Sequence, residues 1–157
     1  MVPGPPHSDR TNVSYVVRRS KTVAASADAI FDILANPSRH ADIDGSGTVK
    51  EALAEAPARL SLGAHFGMSM KMGVPYKIEN TVVAFEEDRV IAWKHFGGHV
   101  WRYDLKPTED GTATEVTETF DWSKSKSKLG LRLFGAPNRN AKAMEKTLER
   151  LAALFEK

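Results

Sequence analysis

The spacing of apolar residues differs between the middle of this chain and its end, and that change limits what it can fold into. In the middle, Phe66, Met68, Met70 and Met72 alternate with polar or small residues, and so do Tyr76, Ile78, Asn80 and Val82. A period of two is the pleat of a half-buried β-strand. Gly73-Val74-Pro75 separates the two runs. Near the end, Pro137, Ala141, Met144, Leu148, Leu151 and Phe155 recur at three and four residues. That spacing gives a charged helix of about five turns with one apolar stripe. A one-sided sheet and a one-sided helix each need a cover, and each can supply the other's.

The remaining elements follow from local signals. Asn12 to Val23 is rich in β-branched residues around Tyr15 and reads as a first strand. Ser26 is placed to cap a helix from Ala27 to Ala35, with Ile30, Phe31 and Leu34 on one face and Asp28 favouring its start. Asn36-Pro37 restarts helical geometry for about a turn. His40 to Val49 places Gly45 and Gly47 around Ser46, a sharp turn before a strand at Thr48 to Ala54. Val90 to His95 and His99 to Lys106 form a hairpin across Phe96-Gly97-Gly98, and Glu109-Asp110-Gly111 turns the chain into a last strand, Thr112 to Trp122. Lys124 to Phe134 is basic, with Leu129, Leu131 and Leu133, and reads as a short helix or a mobile flap ahead of Gly135-Ala136-Pro137. The resulting order is strand, two short helices, six strands and a long helix.

With 157 residues, 41% hydrophobic and 27% charged, the chain suits one globular domain, taken as residues 12–157. Residues 1–11, with three prolines and no apolar run behind a basic start, read as a disordered leader rather than a secretory signal. The absence of cysteine excludes disulfides, thiolate nucleophiles and thiolate metal sites, and fits a cytoplasmic setting. A net charge of +2 is too small to argue for nucleic acid.

This element order, together with Ala24 to Leu34 (AASADAIFDIL), His40 to Val49, Gly63 to Met70 (GAHFGMSM), Trp101 to Leu105 and Glu115 to Asp121, resembles the polyketide cyclase/dehydratase group of the SRPBCC (START-like) superfamily over residues 13–156. The resemblance implies an α+β helix-grip fold: a curved antiparallel sheet of about seven strands wrapped around the long C-terminal helix, with two short helices after the first strand. It also implies an internal cavity for a lipid, polyketide or aromatic compound. Members bind or carry such ligands and some do chemistry on them, without a shared catalytic motif.

If the apolar phase of each strand faces inward, Met68, Met70, Tyr76, Asn80, Trp93, His95, Trp101, Tyr103, Glu118, Phe120 and Trp122 point to the interior, joined from the helix by Met144 and Leu148. Aromatic and methionine walls with scattered polar groups suit a ligand pocket. By pattern alone, a packed core with satisfied polar tips explains them equally well; the resemblance favours the pocket.

Glu118, between Val116 and Phe120, is the residue most in need of explanation, because a buried carboxylate requires a partner or a proton. His95, Tyr103 and Arg102 are the candidate partners. Paired with His95 or Tyr103, Glu118 could serve as an acid/base group in a cyclisation or dehydration; otherwise it orients a ligand hydroxyl, or a bulge turns it to solvent. His95 and His99 flank the Gly97-Gly98 turn, but their spacing with His40, Asp42 or Glu118 is not that of a metal site, and exposed turn histidines are the commoner case. No metal or cofactor motif is present. Asp44-Gly45-Ser46-Gly47 precedes a strand and lacks a phosphate-loop lysine, so it reads as a turn beside the cavity mouth. Between Lys124 and Arg150 stand Lys124, Lys126, Lys128, Arg132, Arg139, Lys142, Lys146 and Arg150 against Glu145 and Glu149. The 124–134 flap is therefore suited to transient contact with an anionic membrane, the alternative being a solvated helix face.

Overall fold

The computed structural model describes residues 15–133 and 135–156. The expected leader at 1–11 and the first residues of the expected strand, Asn12 to Ser14, lie outside them, as does Phe134.

Seven strands form one sheet: β1 (Val16–Val23), β2 (Val49–Ala52), β3 (His65–Met72), β4 (Val74–Glu86), β5 (Val90–His95), β6 (Val100–Pro107) and β7 (Thr114–Asp121), in the order β1-β7-β6-β5-β4-β3-β2. Every neighbouring pair is antiparallel. Because β2 to β7 run as a meander, the chain's first strand is left to close beside its last. Between β1 and β2 lie α1 (Ala27–Leu34), a 3-10 turn (Pro37–Arg39) and α2 (His40–Ile43); after β7 come α3 (Lys128–Leu133) and α4 (Ala136–Ala153). The Asn36 side chain caps the 3-10 turn by accepting from the Ser38 amide at 3.0 Å. The helix-grip reading of the sequence holds, element for element.

The β4–β5 ladder is interrupted at one point. In β4, Val82 faces Trp93 and Ala84 faces Ala92, so Val83 is an extra residue bulged out of the ladder. A bulge resets which side chains point inward and bends the strand. Val82 is therefore buried, Val83 is exposed, and Phe85 turns in to meet Phe31 of α1 edge-on, with ring centroids 5.3 Å apart. The main core gathers Ile30, Phe31 and Leu34 of α1 with Val23, Ile91, Leu105, Val116, Leu148 and Leu151.

α4 packs against β1 and β7 of the sheet and against α2. Its stripe buries Ala141, Met144, Thr147, Leu148, Leu151 and Ala152. The loop after α2 is clamped to it: Gly45 donates to Thr147 Oγ1 at 2.8 Å, and Arg150 donates to the Asp44 carbonyl. A side chain at Gly45 would begin 2.3 Å from the Ala143 carbonyl oxygen, so only glycine permits this approach. The expected turn at Asp44 to Gly47 is thus also the seam between α2 and α4. None of the described helices is long and apolar enough to cross a membrane.

Candidate functional site

Between the concave sheet face and α4 lies a cavity of about 680 Å³, within the range of small-molecule sites. Its apolar wall comes from β3 to β7, where the inward phase presents Phe66, Met68, Met70, Ile78, Trp93, Trp101 and Phe120. The register places Trp93 opposite Trp101 and Trp101 opposite Phe120, so three aromatic rings form one row across three strands. Trp101 and Phe120 lie 4.6 Å apart at their ring centroids. Met144 and Ala143 of α4 and Leu131 of α3 supply the opposite wall. The rim is polar, with Ser46, Arg139, Lys142, Glu145, Lys146 and Glu149.

Four clusters of polar groups interrupt the apolar wall. One row beyond the tryptophans, Tyr103 faces Glu118 in register, and the phenol donates to Glu118 Oε1 at 2.9 Å. Glu118 is 3% exposed, and its Oε2 is buried without a partner. Burial pushes this carboxyl up to about 8, the Tyr103 hydrogen bond opposes the rise, and the charge of Asp44 adds to it. Burial likewise raises the Tyr103 phenol well above its ordinary value. Both groups therefore carry their protons at neutral pH.

His40 forms the second cluster. Its Nε2 donates to the Leu34 carbonyl at 2.8 Å while its ring stacks on Trp93 with centroids 4.9 Å apart. Burial lowers it to about 4, so it is neutral. The third is the pair His95 and His99, stacked at 4.2 Å across the Gly97-Gly98 turn. His95 Nδ1 accepts from the Gly97 amide at 2.9 Å. Burial lowers both imidazoles, and their mutual repulsion helps to take His99 to about 4. The fourth is Asn80, only 3% exposed, whose side-chain amide makes no hydrogen bond to any described residue.

Of the residues expected at the site, Met68, Met70, Tyr76, Asn80, Trp93, His95, Trp101, Tyr103, Glu118, Phe120 and Met144 line the cavity. Tyr76 does so from the mouth, with 38% of its surface exposed. Trp122 and Leu148 do not line it. Trp122 lies past the end of β7 and meets Tyr15 edge-on at 4.8 Å, while Leu148 faces the main core. Of the candidate partners of Glu118, the structure brings Tyr103 to it and not His95, because Tyr103 is the residue directly across the ladder. Arg102, one position along and hence on the other face, is committed to Asp104 at 2.9 Å. The two turn histidines are not exposed, since the hairpin packs back on Lys124 and Ser125. Among the described residues, no group of three or more His, Cys, Asp or Glu is placed to hold a metal ion.

Sequence reasoning missed His40 and Phe66 as wall residues, along with the polar face of α4, and read Asp44 only as part of a turn beside the mouth. His40 and Asp44 belong to a turn too short to show periodicity. Phe66 was legible from its alternation with Met68 and Met70.

A curved antiparallel sheet that closes on its C-terminal helix over a polar-studded apolar cavity defines the helix-grip class of SRPBCC proteins. Within it, the chain belongs to the polyketide cyclase/dehydrase and lipid transport family, whose model matches residues 15–156. It is 40% identical over 141 residues to the uncharacterized protein Rv0088 of Mycobacterium tuberculosis, covering 87% of this chain and 62% of that protein. The chain thus spans under two thirds of the curated relatives it matches. Among solved structures it is similar to protein CV1439 from Chromobacterium violaceum, with a TM-score of 0.68 at 14% identity over 91% of this chain and 98% of that one. It is also similar to the Polyketide_cyc-like protein Cgl2372 from Corynebacterium glutamicum, with a TM-score of 0.53 at 21% identity over 91% and 84%. At such identities these likenesses speak for the fold alone.

Proposed function

We propose that this protein binds and carries a small, largely apolar molecule in the cavity under α4. The observation that carries this reading is the wall itself. Trp93, Trp101, Phe120 and four methionines surround a cavity of about 680 Å³. Identifying what co-purifies with the protein from its own host, by native mass spectrometry and extraction, tests it. A stoichiometric apolar adduct is expected; its consistent absence, together with failure to bind any apolar probe, would refute the reading.

A second reading, a cyclase/dehydratase-like enzyme, draws on the Tyr103 and Glu118 contact. A carboxyl that holds its proton at neutral pH is a general acid, able to protonate a carbonyl oxygen as a ring closes or water leaves. On that reading Glu118→Gln abolishes turnover and leaves binding intact; equal turnover in both proteins removes it.

We further propose that a ligand passes in and out on the side bordered by α3. Leu131 lines the cavity, whereas Leu129 and Leu133 are 69% and 75% exposed beside Lys124, Lys126, Lys128 and Arg132. This surface is suited to brief contact with an anionic membrane. Co-sedimentation with phosphatidylserine vesicles, weakened in Leu129→Ser/Leu133→Ser, is the expected result; no binding by the parent would exclude that route.

A further inference from the structure

Glu118 has one carboxyl oxygen that the protein uses and one that it does not. Oε1 accepts from Tyr103, which leaves the proton on Oε2, and Oε2 has no partner although it is buried in the wall of the cavity. An orphaned polar group in such a place costs stability in the empty protein, and folds retain such costs chiefly where function uses them. Nothing nearby makes the group an ion-pair member. Arg19, opposite it on β1, is taken by Glu145 of α4 at 2.9 Å. Asp44, beyond α2, repels a negative charge here, His40 and the His95 and His99 pair are neutral, and Arg139, Lys142 and Lys146 of α4 stand at the exposed rim. Among the described residues no cation lies within ion-pair distance of Glu118.

We infer that Glu118 is the specificity-determining residue of the cavity: it donates a hydrogen bond through Oε2 and so selects a neutral ligand bearing a carbonyl or similar acceptor oxygen, over a hydrocarbon of the same shape and over a carboxylate. The inference rests on the proposed binding function and names the chemistry of what is bound. A hydrocarbon leaves the donor unpaired. A carboxylate held against Oε2 must shed its own hydration near Asp44, with Arg139, Lys142 and Lys146 out at the exposed rim. Tyr103, by occupying Oε1, fixes which oxygen donates and the direction from which the acceptor approaches.

Three probes of one ring size separate the possibilities: 2-acetylnaphthalene, 2-ethylnaphthalene and 2-naphthoate, each titrated against the fluorescence of the cavity tryptophans. At pH 6 the ketone is expected to bind about tenfold more tightly than the hydrocarbon, with the carboxylate weakest. In the parent protein the ketone's advantage should vanish above about pH 8, as Oε2 loses its proton. In Glu118→Gln, whose amide N–H replaces the donor, the advantage should persist at every pH from 6 to 9. In Glu118→Leu it should disappear while hydrocarbon binding remains. Equal affinity for ketone and hydrocarbon in the parent, or naphthoate binding as tightly as the ketone, would overturn the inference and leave the cavity reading standing. If none of the three binds, the cavity reading fails and this inference with it.

Discussion

The Tyr103 phenol donates to Glu118 Oε1 across 2.9 Å, between adjacent strands and away from bulk water. Tyr103 and Glu118 are direct partners in the ladder, so the contact is set by backbone register. The pair has consequences for stability as well as for binding.

The Glu118 carboxyl ordinarily titrates near 4.5 and in the folded protein near 8. Between those values the folded chain holds a proton that the unfolded chain has lost, so stability falls as pH rises, by roughly 1 kcal/mol for each pH unit. Glu118→Gln keeps the Tyr103 contact and removes the titration. Melting temperatures measured from pH 4.5 to 9 should coincide for parent and variant at the acid end, diverge in favour of the variant as pH rises from about 5 to 8, and keep a constant gap above that. Parallel curves would show that Glu118 does not hold its proton.

His40 and His99 act in the opposite direction. Each is neutral in the fold to about pH 4 and ordinarily protonates near 6.5. As pH falls through that window the unfolded chain gains protons that the folded chain refuses, and stability is lost. His40→Phe keeps the stacking on Trp93 but leaves the Leu34 carbonyl without its donor. It should therefore be less stable than the parent at pH 7, by about 1–3 kcal/mol, and show a shallower decline between pH 6.5 and 4. An unchanged acid slope would clear His40 of this role.

Gly45→Ala places a methyl group 2.3 Å from the Ala143 carbonyl oxygen and 2.6 Å from the Thr147 amide nitrogen. Both are backbone atoms of α4 and cannot move aside singly. The expected cost is about 1–3 kcal/mol, a melting temperature lower by roughly 3–10 °C, with weakened binding of apolar probes because α4 is one wall of the cavity. Unaltered melting would mean that the seam between α2 and α4 is open in solution.

Asn80→Leu tests whether stability is surrendered for a polar contact. The variant should be at least as stable as the parent, because the Asn80 amide lines the cavity without a hydrogen-bond partner among the described residues. Ligands with a polar group at the His95 end of the aromatic row should bind less well, and plain hydrocarbons as well or better. A less stable variant would show that the amide already has its partner.

Most of the architecture could be read from the sequence because it depends on short-range periodicity. The alternation at Phe66, Met68 and Met70 gave the inward face of β3, and the three-four spacing from Pro137 gave α4 and its stripe. Partners across the sheet were harder. Choosing Tyr103 over His95 for Glu118 depends on the β5–β6 and β6–β7 registers, which are fixed by two hairpins, and neither leaves a trace at Glu118 itself. Trp122 kept the phase of β7 but lies past the strand's end, where phase no longer decides what a side chain faces. His40 and Asp44 reach the wall only because Gly45 lets their loop close on α4, a contact 102 residues apart in sequence.

The central claim is that the space beneath α4 is a binding site, and filling that space tests it most directly. Ala143 lines the cavity from α4 and is only partly buried, so Ala143→Phe projects a ring into the volume without displacing a packed core residue. Titrated with the neutral fluorophore 1-aminoanthracene, the parent should show saturable one-to-one binding, and Ala143→Phe should lose it while melting at a similar temperature. Failure of the parent to bind, or equal binding by the filled variant, would contradict the account.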